Sequence, residues 1–123
     1  MELTNAEKIL MEMIWKQEKT FMKDILEAYP DPKPATTTIA TLLKRLQEKK
    51  FVGYELFGNS RQYYPLVKKQ NYFSNHVKGM IKSYFEDSPL EFASFFTTST
   101  NLTTTELEKL REIIDQQIKK KKK

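Results

Sequence analysis

Between residues 3 and 16 apolar side chains recur at steps of three and four: Leu3, Ala6, Ile9, Leu10, Met13 and Ile14. That period predicts an amphipathic helix. Thr4-Asn5-Ala6-Glu7 marks its start, because the threonine hydroxyl can accept from the Glu7 backbone while the glutamate reaches back. Trp15 stands at its far end as a core anchor. Thr20-Phe21 has room for a single bridge of strand. A short helix fits 22–29, with Met22, Ile25, Leu26 and Tyr29 facing inward. Pro30-Asp31-Pro32-Lys33-Pro34 stops it, since each proline pushes its predecessor out of the α region. From Thr36 to Lys49 a second strong helix is expected. Ile39, Leu42, Leu43 and Leu46 form its narrow apolar stripe, and Thr37, Thr41, Lys44 and Glu48 point the opposite way with Arg45 beside them.

Residues 51–66 change period. Phe51-Val52-Gly53-Tyr54-Glu55-Leu56 and Arg61-Gln62-Tyr63-Tyr64-Pro65-Leu66 read as two strands around the turn Phe57-Gly58-Asn59-Ser60. Pro65 then has to lie at an edge or a strand end. Of Tyr63 and Tyr64, one is expected in the core and one over the hairpin. The second half returns to helices: residues 69–86, a short helix from Pro89 to Phe96, a loop over Thr97-Thr98-Ser99-Thr100-Asn101, and a last helix from Thr103. Thr103-Thr104-Thr105-Glu106 repeats the capping box, with Leu102 and Leu107 placed as a hydrophobic staple.

The resulting order is three helices, a hairpin, then two or three more helices. The fold class is mainly α with a small β-hairpin wing: a winged helix-turn-helix followed by a helical dimerisation region. The expected division is a DNA-binding domain over 1–68, a dimerisation region over 69–118 and a disordered basic tail over 119–123.

Charge sharpens this division. The 123 residues carry a net +5, unevenly spread. Residues 1–70 hold 12 Lys+Arg against 9 Asp+Glu, a net +3; residues 71–118 hold 4 against 7, a net −3; residues 119–123 are all lysine. The first half is therefore the basic one. Its third helix offers Thr36, Thr37, Thr38 and Thr41, small enough to approach base edges, with Lys44, Arg45, Lys49 and Lys50 for phosphates and Glu48 opposing them. At the hairpin tip Asn59, Ser60 and Arg61 could reach a phosphate or the minor groove. The second half instead carries more large apolar groups than a few short helices can enclose. Tyr72, Phe73, Val77, Met80, Ile81, Tyr84, Phe85, Phe92, Phe95, Phe96, Leu107, Leu110 and Ile114 are the candidates for a homodimer interface. A two-fold dimer would set two reading helices about 34 Å apart, or a multiple of it, on a pseudo-palindrome.

Several classes of chemistry are excluded by count. No cysteine is present, which removes disulfides, thiolate catalysis and thiolate metal sites and fits a cytoplasmic address. One histidine, His76, cannot make a metal site by itself, and a lone histidine is more often a surface or interface polar group than a catalyst. Three glycines form no phosphate loop. No run approaches the ~18 apolar residues of a membrane span, and the start lacks the features of a secretory signal. No enzyme, cofactor, metal or membrane insertion is expected. The competing class is a winged protein-interaction module whose third helix docks a partner protein.

Four segments, in order, resemble the penicillinase-repressor (BlaI/MecI) family: Leu3-Thr4-Asn5-Ala6-Glu7 with Ile14-Trp15; Thr38-Ile39-Ala40-Thr41-Leu42-Leu43-Lys44-Arg45-Leu46; Tyr63-Tyr64-Pro65-Leu66-Val67; and Leu102-Thr103 with Glu106-Leu107 and Leu110-Arg111. The resemblance implies a homodimeric repressor on palindromic double-stranded operators built from TACA/TGTA half-sites. It also implies induction by proteolysis through a membrane sensor metallopeptidase that detects β-lactams. Thr37, Thr38, Ala40, Thr41, Lys44 and Arg45 fall on that family's recognition-helix positions. The departures are specific. Ala40 replaces a basic residue, and Lys50 replaces the glycine that ends the recognition helix, where a left-handed lysine would cost about 1 kcal/mol. No asparagine precedes Phe95 or Phe96, where the family's scissile Asn-Phe bond aligns. The copper-responsive branch, which uses C-terminal cysteines, is excluded.

Overall fold

The computed structural model describes residues 2–122. The chain folds into α1 (Asn5–Gln17), β1 (Thr20–Phe21), α2 (Met22–Ala28), α3 (Thr36–Glu48), β2 (Val52–Phe57), β3 (Ser60–Pro65), α4 (Lys69–Tyr84), α5 (Pro89–Ser99) and α6 (Thr104–Lys121). It is thus mostly helical, with a small antiparallel sheet and then further helices, the plan of a winged helix-turn-helix with a helical region after it. Two compact units are present, Met1–Ser74 and Asn75–Lys123. The division falls inside α4, later than residue 68, because Tyr72 and Phe73 at the start of that helix pack with Trp15 of α1 at 5.7 and 6.4 Å between ring centroids.

Both capping boxes form. Glu7 N–H donates to Thr4 Oγ1 and Thr4 N–H to Glu7 Oε1, at 3.2 and 2.8 Å. Thr103 and Glu106 repeat the exchange at the head of α6.

Leu3, Leu10, Met11 and Ile14 from the first helix and its approach meet Ile25 of α2, then Ile39, Leu42, Leu43 and Leu46 of α3, and finally Phe51, Val52 and Tyr63 of the hairpin. The buried stripe of α1 is rotated from the expected one. Ile9 is 53% exposed, whereas Glu7 and Met11 are fully buried. Positions 3, 7, 10, 11 and 14 keep the same helical period, but one of them is a carboxylate, which a purely apolar pattern passes over.

The sheet has the order β1-β3-β2, all antiparallel. Phe57 pairs with Ser60 across Gly58 and Asn59, and Gly58 takes φ +62°, a conformation that costs glycine least. Pro65 is the last residue of β3, beyond the two residues that bond to β1, so its missing N–H interrupts no central ladder. Tyr63 is buried and Tyr64 half-buried, the division of labour expected for the pair.

One expectation in the second half is corrected. Thr97 to Ser99 continue α5 instead of opening a loop. Their hydroxyls bond back into the helix: Thr97 Oγ1 donates to the Ala93 carbonyl at 2.8 Å, and Thr98 Oγ1 to that of Ser94 at 2.7 Å. This local bonding lets threonine sit in a helix that its propensity disfavours. Lys119, Lys120 and Lys121 form the last turn of α6, where positive charge complements the helix dipole. Lys123, the end of the expected tail, lies outside the described residues. No helix among the described residues is long and apolar enough to cross a membrane.

Candidate nucleic-acid interface

The third helix is positioned from both ends. Before it, the proline-rich turn is held by Lys33, whose ammonium donates to the carbonyls of Leu26, Glu27 and Tyr29 at 3.0, 3.4 and 2.7 Å. That cation satisfies the last carbonyls of α2 and its negative dipole end. Burial of Tyr29 at the same corner pushes its phenol above the ordinary range.

After α3, Lys50 takes φ 65°. Lys50 N–H donates to the Gln47 carbonyl and Phe51 N–H to that of Leu46, at 3.0 and 2.9 Å. This is a Schellman stop built on lysine in place of glycine, with Phe51 and Leu46 both in the core as its hydrophobic contact.

Held this way, α3 buries Ile39, Leu42, Leu43 and Leu46 and leaves one polar face in solvent. Thr36, Thr37, Thr38, Ala40, Thr41, Lys44 and Arg45 are all exposed. Thr41 Oγ1 donates to the Thr37 carbonyl at 3.0 Å. Its proton is therefore engaged, and what it presents outward is a hydroxyl acceptor and a methyl group.

Lys49 is set apart from that face. Its ammonium lies 2.6 Å from Glu7 Oε1 and also donates to the Glu2 carbonyl at 3.0 Å. The Glu7 side chain is fully buried, and its second oxygen, Oε2, has no hydrogen-bond partner among the described residues. Burial alone would push the Glu7 carboxyl up. Its bond to Lys49, the Thr4 backbone N–H and the Lys49 charge together push it further the other way, to below its ordinary value. Lys49 thus ties the end of α3 to the start of α1.

The wing carries Asn59, Ser60 and Arg61, all exposed. With Phe21, Met22, Lys23, Asp24 and Tyr63 they line a concavity of about 620 Å³ between the hairpin tip and the head of α2. Lys23 is the residue that sequence reasoning missed. Only the antiparallel pairing of β1 with β3 brings the start of α2 to the wing, and a lone lysine on a short helix gives no sign of it.

The expected interface residues of the second half fall into two groups. Tyr72 packs against Phe51 and Trp15 in the winged unit, and Trp15 Nε1 donates to the Val67 carbonyl at 2.8 Å beside them. Phe73 packs against Trp15 and Tyr72 while staying 44% exposed, and the others lie beyond Ser74. No residue of α4, α5 or α6 is buried. Phe85 stacks edge-on with Phe92 and tilted with Phe95, each at 5.5 Å, and Met80, Ile81 and Leu110 are half-buried. Val77, Tyr84, Phe95, Phe96, Leu107 and Ile114 remain exposed. Among the described residues there is no cluster of three or more groups able to hold a metal ion.

Residues 3–116 match the penicillinase repressor family. Relatives include the methicillin resistance regulatory protein MecI of Staphylococcus aureus (strain N315) and the protein of the same name from Staphylococcus epidermidis. Each is 27% identical over 115 residues, covering 93% of this chain and 94% of theirs. A winged fold with a threonine-rich exposed third helix, matched along nearly its whole length, supports a general DNA-binding repressor function, and the chain belongs to the penicillinase repressor family.

Proposed function

We propose that this protein is a homodimeric repressor that binds palindromic operators, with α3 in the major groove and the wing beside it. The observation that carries this reading is the outward face of α3. Its hydroxyls, methyls and two cations serve neither the core nor an ion pair among the described residues. Thr36, Thr37, Thr38, Ala40 and Thr41 meet base edges, while Lys44, Arg45 and, from the wing, Asn59, Ser60 and Arg61 meet the backbone. Lys23 belongs with the wing group, because it lines the same concavity. Lys49 acts by holding α3 against α1, not by touching DNA.

Dimerisation is supported by the second unit, which has no fully buried side chain among the described residues yet exposes Tyr84, Phe95, Ile113 and Ile114 by half or more. An apolar surface of that kind is ordinarily covered by a partner. A second copy also supplies the second reading helix. A membrane sensor metallopeptidase, which the sequence resemblance implies, is the upstream partner in this reading. Ser94-Phe95-Phe96 offers no Asn-Phe bond, so release by cleavage there requires a different specificity.

Binding to a duplex carrying inverted TACA/TGTA half-sites, followed by fluorescence anisotropy, tests the reading. A dimer that neutralises ~6–10 phosphates should lose roughly 10³–10⁵-fold in affinity between 50 and 200 mM salt. A flat salt response, or equal affinity for a scrambled duplex, refutes it and leaves a protein-docking role for α3.

A further inference from the structure

Arg61 is not a free arm on the wing. Tyr54 pairs with Tyr63 across the hairpin and Leu56 pairs with Arg61, so Tyr54 and Arg61 are diagonal neighbours on one face of the sheet. The Arg61 guanidinium carbon lies 4.4 Å from the centre of the Tyr54 ring. That ring is braced in turn by Tyr63, whose centroid is 6.0 Å away and whose side chain is buried in the core. The wing's acidic residue, Glu55, pairs with Gln62 and so projects from the opposite face. The guanidinium of the exposed Arg61 therefore rests on an aromatic platform and forms no ion pair among the described residues. This arrangement suits a DNA phosphate, since cation–π contact uses the face of the guanidinium and leaves its edge donors available.

We infer that Tyr54 is a positioning residue for duplex binding: its ring, anchored by Tyr63, holds Arg61 in the arrangement in which it meets the DNA backbone. This rests on the operator-binding reading above and adds to it a residue that touches no DNA. Without the ring, Arg61 retains its charge but samples many rotamers and must be ordered on binding. An exposed cation–π contact corresponds to about 3–5-fold in affinity per wing, hence on the order of tenfold for two wings on one operator.

The test is a double-mutant cycle read by anisotropy on the operator duplex, with a structural readout on the free protein. Tyr54→Leu should weaken binding on the order of tenfold, and Tyr54→Phe, which retains the π face, should restore it. On an Arg61→Ala background Tyr54→Leu should cost nothing further. In the free protein the Arg61 δ-methylene protons should show an upfield ring-current shift in NMR that survives Tyr54→Phe and disappears in Tyr54→Leu. Arg61→Lys keeps the charge but not the planar fork, and should lose about as much affinity as Tyr54→Leu; this arm stands even if Tyr54→Leu unfolds the wing. Wild-type affinity in Arg61→Lys overturns the inference. So does a Tyr54→Leu loss that persists undiminished on the Arg61→Ala background. Wild-type protein that binds no duplex overturns the operator reading and this one together. Wild-type protein that binds, with Tyr54→Leu equal to it, overturns this one alone.

Discussion

Replacing Lys49 by alanine removes the cation that pairs with a fully buried carboxylate. Glu7 then retains the Thr4 N–H on Oε1 and nothing on Oε2. Breaking a buried ion pair from one side costs roughly 3–5 kcal/mol, most of it from the charge left behind. Lys49 is itself 24% exposed, so water can approach the vacated position, and the lower end, about 3 kcal/mol, is expected. For a domain of this size that is a fall in Tm of ~12 °C or more.

The pH dependence gives the stricter check. In the wild type the folded pKa of Glu7 is lowered. Its contribution to stability is therefore full above the unfolded carboxylate value, about 4.3, and is lost as pH falls through the folded value. In Lys49→Ala burial is opposed only by Thr4, so the folded pKa of Glu7 rises. The gap between the two proteins should be widest near neutral pH and should close only as pH falls through the lowered folded value of the wild type, below which Glu7 is neutral in both. Adding Glu7→Gln to Lys49→Ala should recover part of the loss at pH 7. The assay is urea or thermal unfolding by circular dichroism from pH 3 to 8, beside anisotropy at a temperature where both proteins are folded. An unchanged Tm, with an affinity loss like that of Lys44→Ala, would refute the clamp and make Lys49 a phosphate contact.

Three further outcomes are expected. Lys50→Gly should stabilise by about 1 kcal/mol, because φ 65° suits glycine, and should raise the urea midpoint without changing its slope. Lys44→Ala should weaken every duplex alike and reduce the salt dependence, whereas Thr41→Val, which removes the outward acceptor but keeps a methyl, should change base preference at a single step; both are read by anisotropy on a panel of operator variants. Ile114→Glu, at a site 57% exposed in the single chain, should leave the winged unit folded but shift sedimentation equilibrium from dimer to monomer and reduce operator affinity.

Much of this architecture was legible in the chain. The capping boxes at Thr4 and Thr103, the proline stop after α2, the stripe Ile39-Leu42-Leu43-Leu46 and the Gly58-Asn59 turn are local signals, each set by residues within a few positions of one another. Local signals are readable because hydrogen-bond reach and helical period depend on near neighbours alone. The outward face of α3 followed from the same stripe, since whatever is not buried on a helix of fixed period must point away.

The tertiary structure decided what depended on distant neighbours. Glu7 lies in the core only because Lys49, 42 residues later, arrives to balance it, and that choice turned Ile9 outward. Lys49 itself is indistinguishable from Lys44 in the sequence, both being lysines near the end of a basic helix. Their roles separated when the Schellman turn at Lys50 brought the helix end to α1. Arg61 was visible as a cation at a hairpin tip, but its seat on Tyr54 required the register that pairs Tyr54 with Tyr63. Sequence thus determined which elements form and which faces they expose. Burial of a charge, and the stacking of one side chain on another, waited on contacts that only the folded chain creates.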